Sequence, residues 1–155
     1  MEVKMKTIYR VGGILNKGFV GQISYTVCLD QEYDTMDLEF SFDKQRYTEI
    51  TEDLKAELIE ACNGEYGAET ASGEQIIGAV KEMKTEIHTI LSMNDTFIGG
   101  VHKQLTTRHM LFSPEETSEG CIPQKSIHGV IKITLVVFNV ILDDTHYEVV
   151  LSVNR

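Results

Sequence analysis

The apolar and polar positions along the chain fall into segments of two different periods. Met36, Leu38, Phe40 and Phe42 interleave with Asp37, Glu39, Ser41 and Asp43, which puts apolar side chains on one face of a strand and polar ones on the other. Val3 to Val11 alternates in the same way, with three of its four intervening residues basic, and predicts an edge or half-exposed strand. Gly12 to Gly21 holds four glycines and Asn16, the composition of a turn or bulged hairpin. Ile23, Tyr25, Val27 and Leu29 then resume the alternation in a second strand.

The period changes at Thr48 or Thr51, either of which can cap a helix because its hydroxyl accepts from an orphaned backbone amide. Ile50, Leu54, Leu58 and Cys62, four apart, form one helical stripe, and Asn63-Gly64 supplies a stop. Glu65 to Ser72 reads as a connector. Ser72 and Gln75 make a capping box for a second helix, with Ile76, Val80, Met83, Ile87, Ile90 and Leu91 on one face and an end at Asn94-Asp95. Thr96 to Phe112 fits two short strands, or a helix interrupted at Gly99-Gly100, and the strand reading is favoured. Ser113 to Ser126 contains both prolines and reads as a surface loop.

The run from Gly129 to Leu142, then Asp143-Asp144 and Tyr147 to Val153, predicts a terminal hairpin buried on both faces, in the middle of a sheet. In that register His146 lies opposite Ile141. Helices clustered between strand groups predict an α+β fold: one domain over residues 1–155, with an antiparallel or mixed sheet of about five or six strands and two helices packed on one face. The absence of strict strand–helix alternation argues against a Rossmann-type parallel sheet.

Composition narrows the classes of function. At 155 residues the chain can bury a core without disulfide or metal, and 42% apolar with 25% charged residues argues against disorder. Twenty-four acidic against 14 basic side chains give a net charge of −10, a field that repels nucleic-acid phosphates and anionic lipid and suits a basic or neutral partner. The first ten residues lack the continuous apolar core of a secretory signal. The longest apolar run, near Leu135 to Leu142, is too short to span a bilayer, so a cytoplasmic location is expected. Cys28, Cys62 and Cys121 are odd in number and far apart, which predicts free thiols.

The candidate chemistry is sparse. Asp30, Glu32, Asp34, Asp37 and Glu39 gather carboxylates, but an EF-hand loop begun at Asp30 meets Thr35 where glycine is needed and Ser41 where glutamate is needed. His102 and His109 are spaced wrongly for one ion on either a helix or a strand, and His88 and Glu86 do not share a helical face. Cys121 lies in the long loop among Glu115, Glu116 and Glu119, which disfavour a thiolate, while Cys28 and Cys62 read as packing residues. Gly12-Gly13 and Gly99-Gly100 complete no phosphate-binding loop and read as turns, and no GxSxG elbow occurs.

No catalytic residue, metal site or cofactor is therefore assigned. The expected function is a non-enzymatic binding or accessory protein acting through protein–protein contacts, with a protein partner or a second copy of the chain. The alternative is a small-molecule-binding protein or enzyme with a pocket between the helices and the sheet, lined by Phe40, Phe42 and Met83, with Tyr25 and His88 as polar contacts.

Overall fold

A computed structural model describes residues 4–66, 73–103 and 105–155 and contains eight strands, numbered along the chain, in two antiparallel sheets of four. The first sheet has the order β1-β8-β3-β6, made of β1 (Lys6–Leu15), β8 (Thr145–Asn154), β3 (Thr35–Phe42) and β6 (Thr107–Phe112). The second has the order β2-β7-β4-β5, made of β2 (Gly21–Cys28), β7 (Val130–Asn139), β4 (Glu86–Met93) and β5 (Thr96–Val101). The inward side chains of both sheets, among them Leu38, Phe40, Met110 and Leu151 from the first and Leu91, Ile133 and Leu135 from the second, form one core cluster. The fold is a β-sandwich.

This overturns the α+β expectation of a single sheet of five or six strands beneath two helices. The helices α1 (Glu52–Tyr66) and α2 (Gly73–Glu82) lie at one end of the sandwich instead. Lys17 Nζ pairs there with Glu57, and Arg46 donates to the Lys81 carbonyl at 3.0 Å. Of the two caps the sequence offers, Thr51 is the one that caps α1, its hydroxyl accepting from Leu54 N at 3.1 Å. The Asn63-Gly64 stop does not hold, because α1 runs on to Tyr66. Ser72, most of the 65–72 connector and the Cys62 side chain lie outside the described residues.

Two further expectations fail for physical reasons. The single helix drawn from Ser72 to Asn94 is really α2 followed by β4. A spacing of four, as between Ile87 and Leu91, fits both a helical stripe and one face of a strand, since four is a multiple of two. In β4 the alternation Ile87, Thr89, Leu91, Met93 faces inward and His88, Ile90 and Ser92 face outward. Asn94 and Asp95, read as a helix stop, have positive φ (51° and 65°) and form the two-residue turn of a β4–β5 hairpin.

The terminal hairpin is also absent. β7 pairs with β2 and β4, β8 with β1 and β3, and residues 140–144 carry the chain from one sheet to the other. Asn16 and Asp143 hold that crossing, accepting from Asp144 N at 3.1 Å and from Lys17 N at 2.9 Å. His146 therefore lies opposite Ile14 rather than Ile141. Each strand buries one face only, although both are central in their sheets as expected.

The remaining strands follow their patterns. β1 is an edge strand with a bulge between Thr7 and Tyr9, and Thr96 to Phe112 forms two strands, β5 and β6. The glycine pairs read as turns lie inside strands. A Cβ on Gly13 would stand 2.6 Å from the Tyr147 hydroxyl, and one on Gly99 2.8 Å from Cys121 Sγ, so each glycine admits a neighbouring side chain into the layer. Among the described residues no helix is long and apolar enough to cross a membrane.

Candidate functional site

The alternation that builds the core also decides what each sheet shows outside. On the first sheet, Arg10, Val150, Glu39 and His109 form one cross-strand row, and Ser152, Asp37 and Leu111 form another. Arg10 pairs with Glu148 at 2.6 Å, and His109 lies between Asp37 at 2.9 Å and Glu39 at 3.5 Å. That face is polar, acidic and tied together by its own contacts, the Arg10–Glu148 ion pair among them.

The outer face of the second sheet differs. Gln22, Val136 and His88 form one row, Ser24, Thr134, Ile90 and Gly100 a second, and Thr26, Lys132 and Ser92 a third. The Phe97 and Phe138 rings are 50% and 49% exposed on this face. Between them lies a groove of about 550 Å³ lined by Ile90, Gly100, Val136, His88, His102 and Gln22. The His88 ring centroid is 4.5 Å from that of Phe138 and 5.7 Å from that of His102. Exposed aromatic surface rimmed by polar groups is the usual character of a contact surface.

A second unusual place lies within the sandwich. Arg108 on β6 alternates inward with Met110 and Phe112 and is only 5% exposed. Its guanidinium stands 4.8 Å from the Phe40 ring centroid, a cation–π contact, and Nη1 donates to the Lys103 carbonyl at 3.1 Å. Among the described residues, Nε and Nη2 have no hydrogen-bond partner and no carboxylate pairs with the group. Burial draws its pKa down to about 10. The Thr89 hydroxyl, also buried and also without a partner, borders the same space.

The five residues expected to line one pocket do not meet. Tyr25, Phe40 and Phe42 belong to the interior around Tyr147. The Tyr25 and Tyr147 hydroxyls are 2.5 Å apart, and the Phe40 ring lies 5.9 Å from Phe42 and 6.4 Å from Tyr147. Burial first, then the bond to Tyr25, pushes the Tyr147 phenol up. Met83 follows α2 and is half-buried, while His88 lies on the outer face of the second sheet. The cleft between the start of α1 and the sandwich is lined by Tyr47, Leu54, Ile141 and neighbours, and by none of the five. The expected pocket between helices and sheet is thus not assembled, since each sheet's inner face is covered by the other sheet.

The carboxylates of the 30–39 region do not converge either: Asp30 accepts from the Tyr33 hydroxyl at 2.5 Å, while Asp37 and Glu39 face His109. Among the described residues no group of three or more His, Cys, Asp or Glu side chains is placed to hold a metal ion. Cys28, read as a packing residue, is exposed. Cys121 packs against the core, and burial pushes its thiol pKa up, the opposite of what a nucleophile needs.

Sequence reasoning missed Arg108, Thr89, Phe97 and Phe138, and weighed His102 only as a metal ligand. A signal existed for Arg108, since Arg108, Met110 and Phe112 alternate and mark it as an inward position. No curated protein and no solved structure matches the chain. Residues 5–155 match a family of unknown function, DUF6669, and the chain belongs to that family.

Proposed function

We propose that this protein is a non-enzymatic binding protein that works through protein–protein contacts, with the outer face of the second sheet as its contact surface and a second copy of the chain as the occupant. The observation that carries this reading is the pair of half-exposed rings, Phe97 and Phe138, flanking an apolar groove. The face therefore offers both projections and a hollow, the self-complementarity that a two-fold interface requires.

Net charge by itself favours a basic or neutral partner, and this face is where a second copy meets the least opposition. A chain of net charge −10 repels its own copies over most approaches. The rows on this face carry Lys132, with Glu86 at the start of β4 as the nearby acid, so two such faces meet with little repulsion. The first sheet, with Asp37, Glu39 and Glu148 outward, is the more acidic face, and its hollow of about 690 Å³ beside Ile14 and His146 is bordered by Asp43 and Glu148.

The test is the mass in solution by sedimentation equilibrium from about 1 to 100 µM, the range in which an interface of ordinary quality is populated. The wild-type chain is expected to reach twice its monomer mass. Phe138→Lys is expected to remain monomeric, and Val150→Lys on the opposite face to associate like the wild type. A wild-type chain that stays monomeric throughout, or one dissociated equally by both substitutions, overturns the assignment.

A further inference from the structure

The β4–β5 hairpin changes register once along its length. Next to the turn, Ser92 lies opposite Phe97; past a bulge between Leu91 and Ser92 the pairs become Leu91–Gly99, Ile90–Gly100 and Thr89–Val101. One further step in that register sets His102, just past the end of β5, opposite His88, whereas the register at the turn would have set the inward-facing Val101 there. The bulge thus opposes two histidines on the outer side of the second sheet, where side chains of directly opposed residues start about 4.5–5.5 Å apart. Their ring centroids lie 5.7 Å from each other. Two imidazoles on one tetrahedral zinc ion, each with a metal–nitrogen distance of about 2.0–2.1 Å, stand about 5 Å apart by the same measure.

The surroundings of the pair suit a metal ion. Glu86 lies 3.3 Å from His88 Nε2, the relation a carboxylate bears to a metal-bound imidazole, where it holds the ring and leaves the other nitrogen to the ion. Both histidines line the groove of about 550 Å³, so an ion reaches them from solvent. A net charge of −10 draws cations toward the surface. We propose that His88 and His102 together chelate a divalent transition-metal ion of the kind that favours imidazole, such as zinc, with Glu86 positioning His88 and water filling the remaining places. Two protein ligands are fewer than the four of a structural zinc site, so the ion exchanges with solution. Both ligands come from one chain, so the site goes beyond the association proposed for this face and does not rest on it.

The probe is zinc chloride, titrated calorimetrically into the full chain while the imidazole resonances are followed by NMR. Saturable binding is expected to shift the His88 and His102 rings and to leave that of His109, on the other sheet, in place. His102→Gln, beyond the end of β5, keeps the sheet pairing and is expected to abolish this binding, as is His88→Gln. Glu86→Gln is expected to weaken it about 10–100-fold while both rings still shift at saturation, which a ligand lost outright would not allow. Calcium, which takes oxygen ligands, is expected to move neither ring. No saturable binding by the wild type, undiminished binding in both histidine variants, or an equal response to calcium overturns the proposal. Zinc taken up with the His88 and His102 rings unshifted is adventitious and overturns it as well. The mass of the metal-free chain in sedimentation decides association separately: a monomer that binds zinc loses that reading and keeps this one, and a dimer indifferent to zinc does the reverse.

Discussion

The outer faces of the two sheets rest on the same alternation and enclose the same core, yet they carry different side chains. The first presents Arg10, Asp37, Glu39, His109 and Glu148, nearly all engaged with one another. The second presents Phe97, Phe138, Ile90 and Val136 among mostly neutral polar residues, with Lys132 as the charge in its rows. Charges already paired within one chain gain little from a partner, whereas exposed rings and an unfilled groove still have apolar area to remove from water, at about 25 cal/mol per Å². Inward packing alone does not explain this difference, which is why the faces rather than the core point to a role.

The comparison assumes that the sheets are equals inside. Leu135→Ala in β7 and Leu151→Ala in β8 remove side chains that are fully buried and central in their respective sheets. Each is expected to destabilise the protein by about 2–5 kcal/mol in denaturant unfolding. A loss confined to one of them would mean that one sheet, and not only its surface, is the weaker layer. Salt sharpens the contrast next. Screening the repulsion between two acidic copies should tighten association through the neutral face several-fold between about 0.05 and 0.5 M sodium chloride, read from the sedimentation dissociation constant. Weakening on added salt would point instead to ion pairs at the contact. The smallest effect belongs to the first sheet, where Arg10→Ala removes an exposed ion pair with Glu148 and should change unfolding free energy by less than about 1 kcal/mol.

How much of this was legible depends on how strictly each strand keeps its two faces chemically distinct. β3 does so at every position and was read correctly from its pattern. β4 does not: Thr89 is polar and buried, while Ile90 is apolar and faces outward, so the strand imitates a helical stripe. These two breaks fall at Thr89 beside the buried Arg108 and at Ile90 in the floor of the groove. Departures from a local rule are expected where a sequence serves something besides folding. The terminal hairpin failed differently. Two apolar runs joined by Asp143-Asp144 carry no sign that the second run enters the other sheet, because both layers ask the same alternation of a central strand. The five pocket residues scattered for the same reason, since their placement followed from the wrong layering.

One feature of the topology governs how the chain reaches this state. Among the strand pairs, only β4 and β5 are neighbours in sequence; the rest join distant segments, as far apart as Lys6 and Val153. Each such pairing must close a long loop before any contact rewards it, so folding belongs to the millisecond-to-second regime of non-local β proteins. The β4–β5 hairpin, closed by the positive-φ pair Asn94 and Asp95, is the one strand pairing here that needs no long loop closed first. The same short segment that misled the reading of the sequence is thus where order begins, and refolding slowed by Asn94→Ala at an unchanged unfolding rate would register that origin directly.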